Sequence, residues 1–364
     1  MSERKLKINT LALFSGGGGL DLGFSAAGFN VVLSSDIDPY SCKTLQINQG
    51  KRPYFKKHEV LCEDIRNLSK AKIKKFTQED SIDFIIGGPP CQAFSVFGKR
   101  KGLDDPRGNL VFEYARLIKE IKPQGFLFEN VAGLKSIHDG KLYEELIETL
   151  SFKGEYAISM HEYEVADYGI PQFRRRVFLI GNKSGHAIPP MVGTHTPPNS
   201  LFNAHQPYTT VGKALKGLPK PITDWSGNPK INSHVGRNHS NEIVLRYKTL
   251  KLGERDHKTR INKLDPSRPS YTIIVGSDKG GGKGHVHPFE PREVTPRESA
   301  RLQTFPDWWE FYGTGRHVIR QVGNAVPPLF ATMLAQHVAK HMFNKNKMQQ
   351  FSDMVNLLGL DFIS

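Results

Sequence analysis

The sequence predicts an open α/β fold, a mostly parallel sheet with helices on its faces, into which a smaller loop-rich unit is set. Three observations predict it. Short apolar runs recur along the first half, each bounded by glycine, proline or charge, as strands buried on both faces are. Helical patterns separate them, and strand–helix alternation builds a sheet whose ligand sites lie at the carboxyl ends of its strands. From about Asn182 to about Tyr271 the chain is rich in proline, glycine, histidine and asparagine, too long a stretch for a plain loop.

The elements follow in order. Residues 6–14 read as a first buried strand, which runs into Ser15-Gly-Gly-Gly-Gly19 and a helix over 20–28 closed by Gly28. Residues 31–36 form the second strand and 39–48 the next helix. Residues 82–86, 125–128 and 177–181 are further strands, with helices over 110–121 and 141–152 between them. Lys70-Ala-Lys-Ile-Lys-Lys75 is a solvated helix face, and an amphipathic helix spans 325–343. There is no internal repeat.

A chain of 364 residues allows one large domain or two unequal ones. Its 38% hydrophobic and 24% charged residues exclude a disordered or collagen-like chain. The apolar runs are too short to span a bilayer, and charges interrupt the N-terminus where a signal peptide needs an apolar core, so a cytoplasmic location is expected. A net charge of +14 points to a polyanionic partner, nucleic acid above all. The three cysteines, Cys42, Cys62 and Cys91, form no Cys-x-x-Cys pair, so neither a disulfide framework nor a metal site is expected.

At the first strand end, Gly16–Gly19 let a ligand approach the backbone and aim helix N–H groups at an anion. Asp36, at the end of the second strand, is placed to accept both hydroxyls of a ribose. Asp64 and Ile65 follow the third strand, where a carboxylate meets an adenine amino group. These features fit any adenosine cofactor, and a dinucleotide oxidoreductase would share them.

The chemistry points elsewhere. In Gly87-Gly-Pro-Pro-Cys-Gln-Ala-Phe-Ser95 a buried strand enters two prolines that stiffen the turn and aim Cys91 into the crevice as a nucleophile. Only its thiolate reacts, so nearby positive charge is expected to lower its pKa. Cys42 and Cys62 read as small buried hydrophobes. Glu129 ends another strand, a carboxylate that needs a partner or a task. In Gln172-Phe-Arg-Arg-Arg-Val177, alternation puts Arg174 and Arg176 on one face and Arg175 on the other.

With these residues in place, the chain resembles the bacterial DNA cytosine-5 methyltransferases, in order and over nearly its whole length. Phe14-Ser-Gly-Gly-Gly-Gly19 resembles their first cofactor motif and Pro89-Pro-Cys-Gln92 their catalytic motif. Glu129-Asn-Val131 and Gln172-Phe-Arg-Arg-Arg176 resemble two further active-site motifs. Arg297-Glu-Ser-Ala-Arg-Leu-Gln-Thr-Phe-Pro-Asp307 resembles the segment that scaffolds recognition, and Gln321-Val-Gly-Asn-Ala-Val-Pro327 the final motif that returns to the cofactor pocket.

The resemblance implies a Rossmann-like, S-adenosylmethionine-dependent methyltransferase sheet with a smaller target recognition domain. Residues 1–188, completed by 320–364, would form the catalytic domain, and 189–319 the recognition domain. It implies that Cys91 attacks C6 of a flipped-out cytosine, that Glu129 holds N3 and the exocyclic amine, that Arg174 helps hold the base, and that Arg176 supports the catalytic groups around O2. S-adenosylmethionine would lie against Phe14, Gly16, Gly18, Gly19, Leu20, Asp36, Ile37, Asp64, Ile65, Pro89, Asn324 and Ala325. Ser95, Lys99, Arg100 and Arg107, with Lys101, belong to a stretch over 93–108 that resembles the family's mobile active-site loop; they and the preceding Gln92 would meet DNA. Gly98 and Gly102 support its movement.

In the variable region the candidates for DNA contact are Arg237, Asn238, His239, Arg246, Lys248, Lys251, Arg255, Lys258 and Arg260, with base readers and phosphate contacts left undivided. Gly280-Gly-Gly-Lys-Gly284 beside His285 and His287 reads as a DNA-facing loop rather than a metal site. Two departures stand out. Asp36 is shorter than the family's usual glutamate and Ile37 replaces an aromatic found in some members, while the tail over 340–364 carries no readable purpose. The implied partner is double-stranded DNA, bound by a monomer that is paired in function with a restriction endonuclease. An RNA methyltransferase of the same fold and a non-catalytic DNA-binding relative are the competing readings. Retention of Cys91, Glu129, Arg174 and Arg176 argues against the second.

Overall fold

The structure, a computed structural model, describes residues 7–90, 110–133, 141–197, 206–273, 275, 284–345 and 348–363, without the side chains of 141–143. Its centre is a seven-stranded sheet: β1 (Asn9–Leu13), β2 (Asn30–Asp36), β3 (Glu59–Cys62), β4 (Phe84–Gly87), β5 (Gly125–Val131), β6 (Ala157–Glu164) and β7 (Arg175–Asn182). The order across it is β3-β2-β1-β4-β5-β7-β6. All pairings are parallel except those of β7, which runs antiparallel to both β5 and β6.

The first strands wind outward from β1, and β4 then returns to its other side. The order reverses there, so a crevice opens at the carboxyl ends of β1 and β4. The register pairs Leu13 with Gly87 and Gly87 with Phe128, so the turns after three strands emerge side by side.

Strand side chains alternate between two cores, as the period of two requires. Phe84 and Ile86 of β4, Leu127 of β5 and Phe178 and Ile180 of β7 enter one core. Ile85, Phe126, Phe128, Val177 and Leu179 enter the other, which α4 (Leu110–Ile121) covers. The first face is covered by α1 (Gly19–Ala26) and α10 (Pro328–Phe343). A Cβ at Gly23 would lie 2.4 Å from Ala331 Cβ, so glycine sets how closely these helices pack. The remaining helices beside the sheet are α2 (Pro39–Asn48), α3 (Lys70–Thr77) and α5 (Lys141–Ser151).

Between β7 and α10 the chain is loop-rich. It contains the two-residue strands β8 (His195–Thr196) and β9 (Gln206–Pro207) and the helices α6 (Val211–Leu215) and α7 (Asn241–Thr249). Tyr247, Ile261 and Val286 make a separate small core here, with Ile243 and Leu250 against it. The following α8 (Pro296–Leu302) is buried along its whole length, and its Ala300 and Leu302 join the large core. It opens on a capping box between Thr295 and Glu298. Arg297, wholly buried, donates to the carbonyls of Asn232, Pro306 and Trp309, and burial pulls its pKa down to about 10. That guanidinium ties the loop-rich stretch to α8 and to the turn leading to α9 (Gly315–Asn324).

The tail is a packed part of the fold. In α11 (Phe351–Leu358), Met354, Val355 and Leu358 enter the large core. Trp308 Nε1 donates to Leu358 O at 2.8 Å, Tyr54 to Leu357 O at 3.1 Å, and Phe351 packs on His195. No helix among the described residues is long and apolar enough to cross a membrane.

Candidate active site

The turn after β1 is built by glycine for two different reasons. Gly16 and Gly18 have φ of +52° and +82°, the left-handed region that side chains disfavour. Gly17, Gly18 and Gly19 also face protein at close range. Added Cβ atoms would lie 3.0 Å from Gln321 O, 2.7 Å from the Trp309 ring and 2.1 Å from Val326 O. The cluster therefore packs against Trp309 and the returning segment from Gln321 to Val326. Only Gly16 has open space at its Cβ position, with nothing nearer than 4.0 Å.

Asp36 closes this turn. Gly16 N donates to Asp36 Oδ2 at 2.7 Å and Asp38 N to Oδ1 at 2.8 Å. Burial pushes this carboxyl up, against the two backbone donors. Each oxygen takes one N–H and keeps acceptor capacity for a hydroxyl. Beside it Ile37 is 67% exposed, an apolar surface at the crevice mouth. Phe14 and Leu20 are half-buried, and Phe14 has a positive φ of 55°. Asp64 is held by Arg66 through both carboxylate oxygens, which keeps it below the ordinary carboxylate range. Ile65 is buried in the second core. Asn324 is exposed at the end of α9, and Ala325 is buried against Gly19.

Under the turn lies a polar chain that sequence reasoning missed. Asp21, wholly buried in the first turn of α1, accepts from Ser15 Oγ at 2.9 Å. Ser34 Oγ is 2.5 Å from the same oxygen, and His58 Nε2 lies 2.9 Å from Ser34 Oγ. Asp21 Oδ2 has no partner among the described residues, and burial raises the pKa to about 6. In sequence Asp21 looks like an ordinary acid at a helix start.

Across the crevice, β5 and β7 bring Glu129, Arg174 and Arg176 together. Glu129 Oε1 is 3.2 Å from Arg176 Nε, both largely buried. Burial raises the Glu129 carboxyl, and Arg176 and then Arg174 oppose the rise. Arg174 is 1% exposed; its Nη2 donates to Gly323 O at 2.9 Å, while Nε and Nη1 have no protein partner among the described residues. Burial lowers its pKa to about 9, with Arg176 adding to the fall. Arg175 is exposed and turns to Glu162 instead, the split that alternation predicts.

Two neighbours fix this group. Asn130 Nδ2 donates to Pro89 O at 3.1 Å and its Oδ1 accepts from Val131 N at 2.8 Å, which pins the turn after β4 to β5. Gln172 Nε2 pairs with Gln303 Oε1, and Gln303 Nε2 donates to Ala325 O at 2.5 Å, linking β7 to the returning segment. Asn130 and Gln172 lie within motifs quoted from the sequence, but only the structure gives them these tasks. Pro89 is buried and Pro90 exposed at the end of the described turn. Cys91, Gln92, Ser95, Lys99, Arg100 and Arg107, and the expected mobile loop, lie outside the described residues.

The recognition candidates divide. Arg246 is turned inward, its Nε donating at 2.8 Å to Asp256, which is fully buried. Arg237 pairs with Glu293 at 3.2 Å but stays half-exposed. His239 packs on Tyr247, and Lys258 pairs with Glu242. Arg255 and Arg260 are exposed, as are Asn238, Lys248 and Lys251. His285 and His287 are buried against Tyr271 O and Glu298, and no metal-holding cluster exists among the described residues. The glycine run before them lies largely outside the described residues.

The chain is similar to known methyltransferases. A family model of C-5 cytosine-specific DNA methylases matches residues 8–340. The type II methyltransferase M1.HphI of Haemophilus parahaemolyticus is 35% identical over 350 residues, covering 93% of this chain and 89% of that protein. M.NgoFVII of Neisseria gonorrhoeae is 33% identical, covering 93% and 87%. Among solved structures, one described as a DNA modification methyltransferase encoded within an E. coli prophage has a TM-score of 0.75. It is 32% identical, covering 93% of this chain and 100% of that one. A Dnmt2 methyltransferase from S. pombe shares the fold, with a TM-score of 0.63 and 19% identity over 91% of this chain and 98% of that one.

Proposed function

The chain belongs to the C-5 cytosine-specific DNA methylase family and is a DNA cytosine-5 methyltransferase of the restriction–modification type, and from that premise we propose how its residues act. The substrate is a cytosine turned out of duplex DNA, at a cost of roughly a few kcal/mol. The observation that carries the reading is the meeting of an ion-paired, largely buried carboxyl, Glu129, with the buried guanidinium of Arg174, whose Nε and Nη1 have no partner among the described residues. A buried donor without a partner is costly, and a base carbonyl would satisfy it.

The chemistry needs each of these groups. C5 of cytosine is too weak a nucleophile to take a methyl directly. The Cys91 thiolate adds to C6, and the ring becomes enamine-like with electron density at C5. Glu129 faces N3 and the exocyclic amine; its raised pKa suits a carboxyl that carries a proton to N3. Arg174 and Arg176 hold O2 and stabilise the charge that develops on the ring. S-adenosylmethionine, when bound, supplies the electrophilic methyl. Loss of the C5 proton and departure of Cys91 then restore the aromatic ring.

The residues present fit the cofactor. Asp36 has acceptor capacity for ribose hydroxyls, Ile37 offers apolar surface to a base, and Gly16 leaves space for close approach. We further propose that the protein acts as a monomer and protects host DNA beside a cognate restriction endonuclease.

The test is transfer of labelled methyl groups from S-adenosylmethionine to duplex DNA by wild type and Cys91→Ala, with bisulfite sequencing of the product. Site-specific methylation by the wild type alone supports the mechanism and reveals the target sequence. Transfer that persists in Cys91→Ala overturns the covalent step, and transfer to RNA alone overturns the substrate.

A further inference from the structure

We infer that the hairpin over residues 253–263 is a preformed sequence-reading element and that Arg260 is a specificity-determining residue that contacts a guanine edge. This rests on the duplex-DNA reading given above and adds which element reads the target.

The hairpin is rigid by construction. Gly253 N donates to Lys263 O, Lys263 N to Glu254 O and Asp256 N to Ile261 O, at 2.8–2.9 Å, and Arg255 bridges Asn262 antiparallel. Its tip is organised around Asp256. That carboxylate accepts from Arg246 Nε at 2.8 Å, Thr259 N at 2.7 Å and Thr259 Oγ1 at 2.5 Å. Ile261 anchors the returning arm in the small core beside Tyr247 and Val286. Side chains on a rigid element can be held to the tolerance that base reading needs.

The tip is basic. Arg255, His257, Lys258 and Arg260 are all exposed there, while the one acid at the tip, Asp256, is buried and paired. Lys258 is drawn to Glu242, and Arg255 Nε donates inward to Arg260 O at 3.0 Å. Arg255 is thus a positioning residue. Arg260 has no acid partner among the described residues. Its backbone has φ of +60°, a strained conformation that glycine would adopt freely. Its side chain is exposed, and a guanidinium free of an acid partner is a fork suited to the O6 and N7 of guanine.

The base of the hairpin is also bonded to the stretch that lies against the chain before Arg174. Tyr271 Oη donates to Gly253 O at 3.3 Å, at the base of the hairpin. The residues flanking Tyr271 join the chain just before Arg174: Phe173 N donates to Ser270 O at 2.8 Å and Thr272 Oγ1 to Phe173 O at 2.7 Å. Hydrogen bonds therefore link the base of the hairpin to the stretch around Tyr271, and that stretch to Phe173 beside Arg174.

The test uses the full chain, S-adenosylmethionine and a duplex library with randomised bases around a cytosine, read by bisulfite sequencing. Wild type, Arg260→Ala and Arg260→Lys are compared, with S-adenosylmethionine binding as the check on folding. Both variants are expected to lose preference at one base pair by roughly ten- to a hundredfold while other positions stay selective. Preference retained in Arg260→Lys, with Arg260→Ala weakened uniformly and its salt slope reduced by about one, makes Arg260 a phosphate contact and overturns the inference. Unchanged selectivity in both variants overturns it as well. A wild type that methylates no duplex overturns the DNA reading itself, an outcome distinct from a selective wild type whose selectivity survives substitution.

Discussion

A Cβ at Gly88 would lie 2.7 Å from Glu129 Oε2. The glycine at the end of β4 is therefore the floor on which the Glu129 carboxylate sits. Gly88→Ala must push Glu129 away from its place or shift the turn toward Cys91. Methyl transfer is expected to fall about a hundredfold, as displacements near 1 Å do. S-adenosylmethionine binding should persist, because Asp36 and the turn after β1 are untouched. Steady-state rates and a cofactor titration on the same preparation check this.

Asn130 joins that turn to β5 through Pro89 O and Val131 N. Asn130→Ala leaves the buried Pro89 carbonyl and the part-buried Val131 N–H without this partner, at a cost of about 1–3 kcal/mol. The loss should be larger in turnover than in cofactor affinity, since the side chain is bonded to the turn that leads to Cys91. Denaturant unfolding gives the first quantity. The change in kcat set beside the change in S-adenosylmethionine Kd gives the second, and a rise in Kd with kcat unchanged would contradict the positioning role.

How much of this was legible in the sequence follows from the range of each interaction. The alternation that separates Arg175 from Arg174 and Arg176 is local, and so are the apolar runs that became β4, β5 and β7. The crevice followed from them. Gly17–Gly19 were legible as a ligand turn, but much of their reason lies at Trp309, Gln321 and Val326, far along the chain. Arg246 read as a surface cation because nothing local shows that Asp256 is buried against it. The tail's purpose was illegible for the same reason: Leu358 matters through Trp308 and Leu357 through Tyr54.

Gly23 sets the spacing of α1 and α10. A Cβ there would lie 2.4 Å from Ala331 Cβ and 2.7 Å from Pro328 O, and backbone cannot yield cheaply. Gly23→Ala should gain a little helix propensity and lose more to overpacking, for a net destabilisation of about 1–3 kcal/mol. Because α10 follows the segment against Gly19, cofactor affinity should fall with stability. Gly28→Ala serves as the contrast: its Cβ would meet nothing within 4 Å, but its φ of +93° adds strain without a clash.

The buried chain under the cofactor turn predicts a pH dependence whose sign can be worked out. Ser34 Oγ stands between Asp21 Oδ1 and His58 Nε2, and His58 Nδ1 faces Lys56 O. One serine proton cannot serve both neighbours, so either Asp21 or His58 holds an extra one. Burial pushes His58 down and Asp21 up to about 6, which puts the proton on Asp21 in mildly acidic solution. A carboxyl whose folded pKa lies above its ordinary 3.8 binds more protons folded than unfolded. Its contribution to stability is full below the unfolded pKa and is lost as pH rises through the folded one. The whole change is about 3 kcal/mol, between about pH 4 and pH 6. Asp21→Asn resembles the protonated form and lacks this titration. Urea unfolding across that window should show the stability of the wild type falling relative to the variant by about this amount as pH rises, then holding constant above it. A difference that stays flat from acid to neutral pH would mean that Asp21 is ionised in the fold throughout, with the extra proton on His58.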